Sequence, residues 1–148
     1  MKNDSKLKLL LLAIVILSFL GFLDSTYLTI LHYKNAFPSC SFTHGCETVQ
    51  RSQYSTISIL PVALLGSIYY LVLTIFSIVF LQKGNRKIFK KILILFAVVG
   101  FGASVIFFSL QAFAIKAYCE FCLLSELIST LILTFSFVLL RFKGLSKE

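Results

Sequence analysis

The sequence predicts an all-α membrane protein, a bundle of four transmembrane helices with a short surface segment in the first outer loop. Three observations predict it. The chain has 148 residues, of which 58% are hydrophobic and 14% charged, with a mean hydropathy of +0.94. A water-soluble domain carries roughly 25% charged residues, so this chain lacks the polar surface to stay in water. The apolar residues also gather into four long segments, 9–31, 57–81, 88–115 and 119–140. Each reaches or exceeds the ~20 residues that cross a ~30 Å hydrocarbon core. Finally, the basic residues alternate between the ends of these segments. The expected organisation is one integral membrane domain of four helices over residues 1–148.

A net charge of +8 raises the possibility of nucleic-acid binding, but its distribution argues for a lipid bilayer instead. Lys2, Lys6 and Lys8 precede the first segment. Lys83, Arg86, Lys87, Lys90 and Lys91 flank the turn between the second and third, and Arg141, Lys143 and Lys147 follow the fourth. Only Lys34, Arg51 and Lys116 fall in the two remaining loops. The positive-inside rule then puts both termini in the cytoplasm, and the 32–56 loop and the 114–120 connection outside. Cys40, Cys46, Cys119 and Cys122 all sit at that outer face, where disulfides persist.

In chain order, the first segment follows a basic N-terminus, but it is too long for the 7–15-residue core of a secretory signal, and no small-residue cleavage site follows. Its later half carries Asp24, Ser25, Tyr27, Thr29 and His32. Asp24 and Tyr27 share one face by their spacing, and Ser25, Thr29 and His32 line another. A carboxylate at this depth faces a bundle interior, where Asp24 either bonds neighbouring helix ends or moves protons. The next loop holds Cys40 and Cys46 with Gly45 between them, a spacing that lets the chain bend back and close a small disulfide. That pair either staples the loop or exchanges electrons, and His44 either helps deprotonate Cys46 or is solvated. The polar stretch 47–58 reads as the surface segment. Pro61 suits the first turn of the second helix. Ala63, Gly66 and Ser67, like Gly100, Gly102 and Ser104 in the third segment, offer small surfaces for close helix approach.

The fourth segment opens with Cys119-Glu120-Phe121-Cys122. Thiols three residues apart lie on one helix face, about a turn apart. The unpaired N–H groups of a helix N-terminus lower a thiol pKa. Glu126, four residues past Cys122, shares that face. It either forms a structural hydrogen bond to Ser25, Ser129 or a backbone group, or serves as an acid within the membrane.

Taken together, these residues resemble the vitamin K epoxide reductase family, in its bacterial form. The resemblance rests on Leu23-Asp24-Ser25-Thr26-Tyr27-Leu28-Thr29 with His32, on Cys46-Glu47-Thr48-Val49, on Pro61-Val62-Ala63-Leu64-Leu65-Gly66, and on Cys119 to Ser125. It implies transfer of electrons from a thioredoxin-fold dithiol partner through Cys40/Cys46 and Cys119/Cys122 to a membrane quinone, ubiquinone or menaquinone, in support of disulfide formation. Cys40 would exchange with the partner, Cys46 would pass electrons to Cys119, and Cys122 would face the quinone, with Glu126 and Asp24 as candidate quinone-site residues. Many bacterial relatives carry a fused thioredoxin-like domain after the last helix. This sequence ends at Glu148, so the resemblance implies a separate thiol oxidase as partner at the cytoplasmic (inner) membrane. The sequence departs from the family pattern at Ser58-Ile59-Leu60 and at Glu126.

The chemistry is self-consistent. Oxidising two thiols releases two electrons and two protons, and a quinone takes up two of each to become a quinol. No metal or flavin is expected, and no Gly-rich nucleotide motif is present. Reduction of a quinone epoxide in the same site is an alternative. So is a metal held by all four cysteines, or a structural protein with two stapling disulfides. The other four-helix, quinone-linked thiol oxidase family places its Cys-x-x-Cys in the first outer loop, the reverse of the order here.

Overall fold

The computed structural model describes residues 2–82 and 86–141. Among them α1 spans Lys2–Tyr33, α2 Cys46–Arg51, α3 Val62–Gln82, α4 Arg86–Ser109 and α5 Glu120–Arg141, while α4 runs on into a π-helical segment, Leu110–Ile115. Two short strands, β1 (Thr56–Ile57) and β2 (Leu60–Pro61), pair as an antiparallel hairpin before α3. Among the described residues four helical stretches are long and apolar enough to cross a membrane: Ser5–Tyr33, Val62–Gln82, Lys87–Ile115 and Glu120–Arg141. The protein is a multi-pass, all-α membrane bundle. Of the basic residues that set the expected topology, Lys83, Lys143 and Lys147 lie outside the described residues.

The expected spans hold, with differences at their ends. The second begins at Val62, not at residue 57, because Thr56 pairs with Pro61 across the hairpin and the Val62 N–H bonds back to the Ser55 carbonyl at 2.9 Å. Ser58, at φ 61°, makes the turn. Pro61 therefore precedes the helix rather than occupying its first turn. Ile57, Ile59 and Leu60 are apolar yet exposed, so they lengthen the hydropathy signal without joining the bundle. The first helix runs back to Lys2, since lysine is a good helix former whatever its hydropathy. The expected surface segment is a helix only over Cys46–Arg51.

Within the bundle α1 is central, packed along α3 and α5, while α4 lies against α5 and more lightly against α3. Lipid gives apolar side chains no reason to prefer one another, so association depends on close packing and interhelical hydrogen bonds. Both are present. A Cβ on Gly21 would come within 2.7 Å of the Tyr70 ring, and Gly66 sits against Ser25. The Thr26 and Ser67 hydroxyls meet at 2.8 Å, and Thr74 donates to Ser18 at 3.0 Å. Such bonds contribute about 0.6 kcal/mol each. Gly100 meets Tyr69, as the small-residue pattern predicts, but Gly102 faces open space and is no packing point. Ile16, Ile75, Ile106 and Leu127 are exposed on the four spans and form a lipid-facing surface.

Candidate functional site

The four cysteines gather at one end of the bundle. Cys40 and Cys46 are joined by a disulfide, with Cα atoms 5.9 Å apart, while Cys119 and Cys122 are free thiols. Cys46 opens α2 with Gly45 at its N-cap. Gly45 allows a close approach that no other residue permits, since a Cβ there would lie 2.9 Å from the Tyr118 backbone nitrogen. That approach brings the loop disulfide onto the link before α5. The sulfurs of Cys40, Cys46 and Cys119 all lie within 4.8 Å of one another, and Cys46 and Cys119 are both buried. Cys122 is not part of this cluster, and two of the three clustered sulfurs are joined in the disulfide.

Cys119 sits just before α5, with its carbonyl accepting the Leu123 N–H at 2.9 Å. Its thiol is held below the ordinary thiol range, first by the hydrogen bond from the Cys122 side chain. The N–H groups of Cys122 and Phe121 add to this, against burial, which raises it. The helix-start effect expected from the sequence is present at this residue.

Two residues that sequence reasoning did not single out hold the cluster in place. Glu120, between the two thiols of the Cys-x-x-Cys, reaches across to the loop and accepts the N–H groups of Phe42 and of Thr43, the latter at 2.9 Å. Gln111, only 2% exposed, accepts the Cys119 N–H at 2.9 Å and donates to Glu126 at 2.8 Å. A glutamine inside an otherwise apolar span was the available signal, because polar groups are costly there. Glu126 thus bonds Gln111, and not the Ser25, Ser129 or backbone partner entertained above.

Beneath the cysteines a cavity of about 400 Å³ opens between the helices, lined among others by Asp24, Tyr69, Tyr70, Cys122, Ser125 and Glu126. Its size falls in the usual range for small-molecule sites. Tyr70 donates to the Ser125 carbonyl at 2.8 Å. One carboxylate oxygen of Asp24, Oδ2, is buried with no hydrogen-bond partner. Ser25 and Thr29 are buried, and Thr29 bonds its own helix at Ser25. Tyr27 is partly exposed and packs its ring on Phe121, with centroids 5.4 Å apart. His44 is exposed on the loop with a left-handed backbone, φ 50°.

A disulfide beside a buried thiol, above a cavity within four membrane spans, defines a class: a membrane protein whose cysteines fit a redox role. The chain belongs to the vitamin K epoxide reductase family, whose model matches residues 12–137, and is accordingly a membrane oxidoreductase. Comparison with individual curated proteins gives no match, so the family model carries the assignment.

Proposed function

We propose that the protein passes electrons from a thioredoxin-fold dithiol, through Cys40/Cys46 and then Cys119/Cys122, to a membrane quinone, and so supports disulfide formation at the outer face. The observation that carries this reading is the convergence of three sulfurs within 4.8 Å, with the fourth, Cys122, on the cavity wall. The donor thiolate attacks Cys40, and its second thiol resolves the mixed disulfide, which leaves the donor oxidised and Cys40 and Cys46 reduced. Cys46 then attacks Cys119 of a closed Cys119–Cys122 pair and releases the Cys122 thiolate. Cys40 resolves the Cys46–Cys119 bond, so that two electrons and two protons now reside on Cys119 and Cys122. Exchange of this kind proceeds one sulfur at a time, and a lowered thiol pKa makes Cys119 the better leaving group when Cys40 resolves the mixed disulfide.

The quinone, ubiquinone or menaquinone, is the acceptor of those two electrons and two protons. The cavity suits a ring of this kind, and its wall holds Cys122 together with Asp24, Ser125 and Glu126. Cys122 faces the ring, and Glu126 and Asp24 hold and deliver protons to its oxygens. The catalytic unit is the single four-helix domain.

The test is a turnover assay: purified protein, a reduced thioredoxin-fold oxidase and a short-chain quinone, followed by quinone absorbance. Quinone is expected to be consumed mole for mole with donor dithiol. Cys40→Ser is expected to lose activity with the protein donor while retaining part of it with a small dithiol that reaches the inner pair. Equal loss with both donors would reduce the loop disulfide to a staple. No quinone consumption by the unsubstituted protein would overturn the reading. Labelling of the reduced loop cysteines by a membrane-impermeant thiol reagent on intact cells checks the orientation.

A further inference from the structure

Residue 111 lies where the third span leaves α-helical geometry. Its last six residues, Leu110–Ile115, are π-helical, and Lys116, at φ 55°, ends them in the left-handed region. A single π turn widens the helix and re-aims its side chains, and such turns recur at functional sites. Here the re-aimed side chain is Gln111, and it is bonded at every point. Its backbone carbonyl accepts the Ala117 N–H at 3.2 Å. Its side-chain carbonyl accepts the Cys119 N–H at 2.9 Å, and its amide donates to Glu126 Oε1 at 2.8 Å. The non-helical link 116–119 is thereby tied to one buried residue at both ends. The Cys119 N–H, which has no partner within α5 because it precedes the first helical turn, is satisfied from another span.

We infer that Gln111 is a positioning residue for electron transfer between the two cysteine pairs: it holds the Cys119 backbone beside Cys46 and links that position to the Glu126 carboxyl in the cavity wall. This deepens the proposed relay and rests on it. Replacing the amide with an apolar side chain leaves the link free to shift, and displacement of a reacting atom by about 1 Å costs on the order of 100-fold in rate. Replacing it with a carboxyl keeps the acceptor for Cys119. Donation to Glu126 then requires a proton, and two ionised carboxylates in contact repel. The other titratable groups around the cavity and this pair are Asp24 from α1, Tyr54 from the segment before β1, Tyr69 and Tyr70 from α3, and Cys119 and Cys122 at the start of α5.

The experiment reads the Cys46–Cys119 step without any quinone. In a Cys40→Ser, Cys122→Ser background only Cys46 and Cys119 remain, and oxidised glutathione drives a Cys46–Cys119 cross-link whose rate is followed by mass spectrometry. Circular dichroism confirms helical content for each variant. Gln111→Leu is expected to cross-link at least roughly tenfold more slowly than the parent at every pH. Gln111→Glu, read as a ratio to the parent at each pH, is expected to match it under mildly acidic conditions and to fall toward the leucine variant as pH rises. Cross-linking of Gln111→Leu at the parent rate would overturn the inference. So would an equal, pH-independent loss in both variants, which is what packing alone predicts. Should Gln111→Leu fail to fold, the pH dependence of Gln111→Glu decides alone. Failure of the relay itself would appear separately, as absence of quinone turnover in the unsubstituted protein.

Discussion

The two ends of the bundle are held together by different means. Away from the cysteines, apolar and aromatic contacts dominate, beside a few interhelical hydrogen bonds such as Thr74 to Ser18. Phe80 and Phe89 stack with centroids 5.3 Å apart and planes 12° from parallel, and Phe76 packs on both Phe89 and Phe96. Leu7, Leu11, Leu93 and Leu139 are buried around them. At the cysteine end, apolar packing such as Tyr27 on Phe121 is joined by long-range hydrogen bonds to single atoms: Glu120 to the Phe42 and Thr43 N–H groups, Gln111 to Cys119 and Glu126, and Tyr70 to Ser125. Apolar packing tolerates exchange of one hydrophobic shape for another. A hydrogen bond in a low-dielectric setting fixes both partners and is costly to leave half made. On this division the far end serves stability and the cysteine end serves position, which the proposed thiol exchange requires.

The sharpest way to break this division is at Glu126, which belongs to the positioning network and to the cavity. Under the proposed function, Glu126→Leu removes the proton donor and leaves the Gln111 amide without its acceptor. Turnover is expected to fall by about 100-fold, at the lower bound for loss of a general acid. Glu126→Gln still offers a hydrogen bond and is expected to lose less. Turnover of Glu126→Leu at the unsubstituted rate from mildly acidic to mildly alkaline pH would leave Glu126 as a packing residue.

A smaller effect is expected at Glu120. Glu120→Ala frees the two N–H groups that pin the loop, so the Cys40–Cys46 disulfide is no longer held against Cys119. With a protein dithiol as donor, turnover is expected to drop roughly tenfold, the scale of one charge-assisted hydrogen bond. With a small dithiol that reduces Cys119/Cys122 directly, it is expected to stay within about twofold of the unsubstituted protein, a change of a few tenths of a kcal/mol. Equal rates for Glu120→Ala and the unsubstituted protein with the protein donor would show that Gly45 and the disulfide alone seat the loop.

The same division explains what was legible in the sequence. The four spans were, because an apolar stretch of about 20 residues has few other uses. The bounds were less so at residues 57–61, where Ile57, Ile59 and Leu60 carry hydropathy into a hairpin whose register is set by backbone bonds. Of the candidate site, residue type and spacing drew attention to the four cysteines and to Asp24 and Glu126, which lie at one end of the bundle and on the cavity wall. Glu120 was not, because a glutamate at the end of a span reads as solvated, and its partners lie 77 and 78 residues away in sequence. Gln111 was half legible: its polarity stood out in an apolar run, but its aim depends on a π turn that no residue pattern announces.

The smallest expected effect lies at the far end, and it tests whether the two ends are separable. Phe80 is buried at 3% exposure and stacks on Phe89. Phe80→Leu keeps the site apolar but loses the ring pairing, which contributes about 1 kcal/mol beyond area burial. Unfolding in mixed detergent is expected to show a loss of about that size. Turnover with the protein donor is expected to be unchanged, since no hydrogen bond to Cys119, Glu120 or Glu126 runs through this layer. A Phe80→Leu variant that loses turnover as heavily as Glu120→Ala while remaining folded would mean that the aromatic layer also sets the position of the cysteines, and the separation of stability from position would fail.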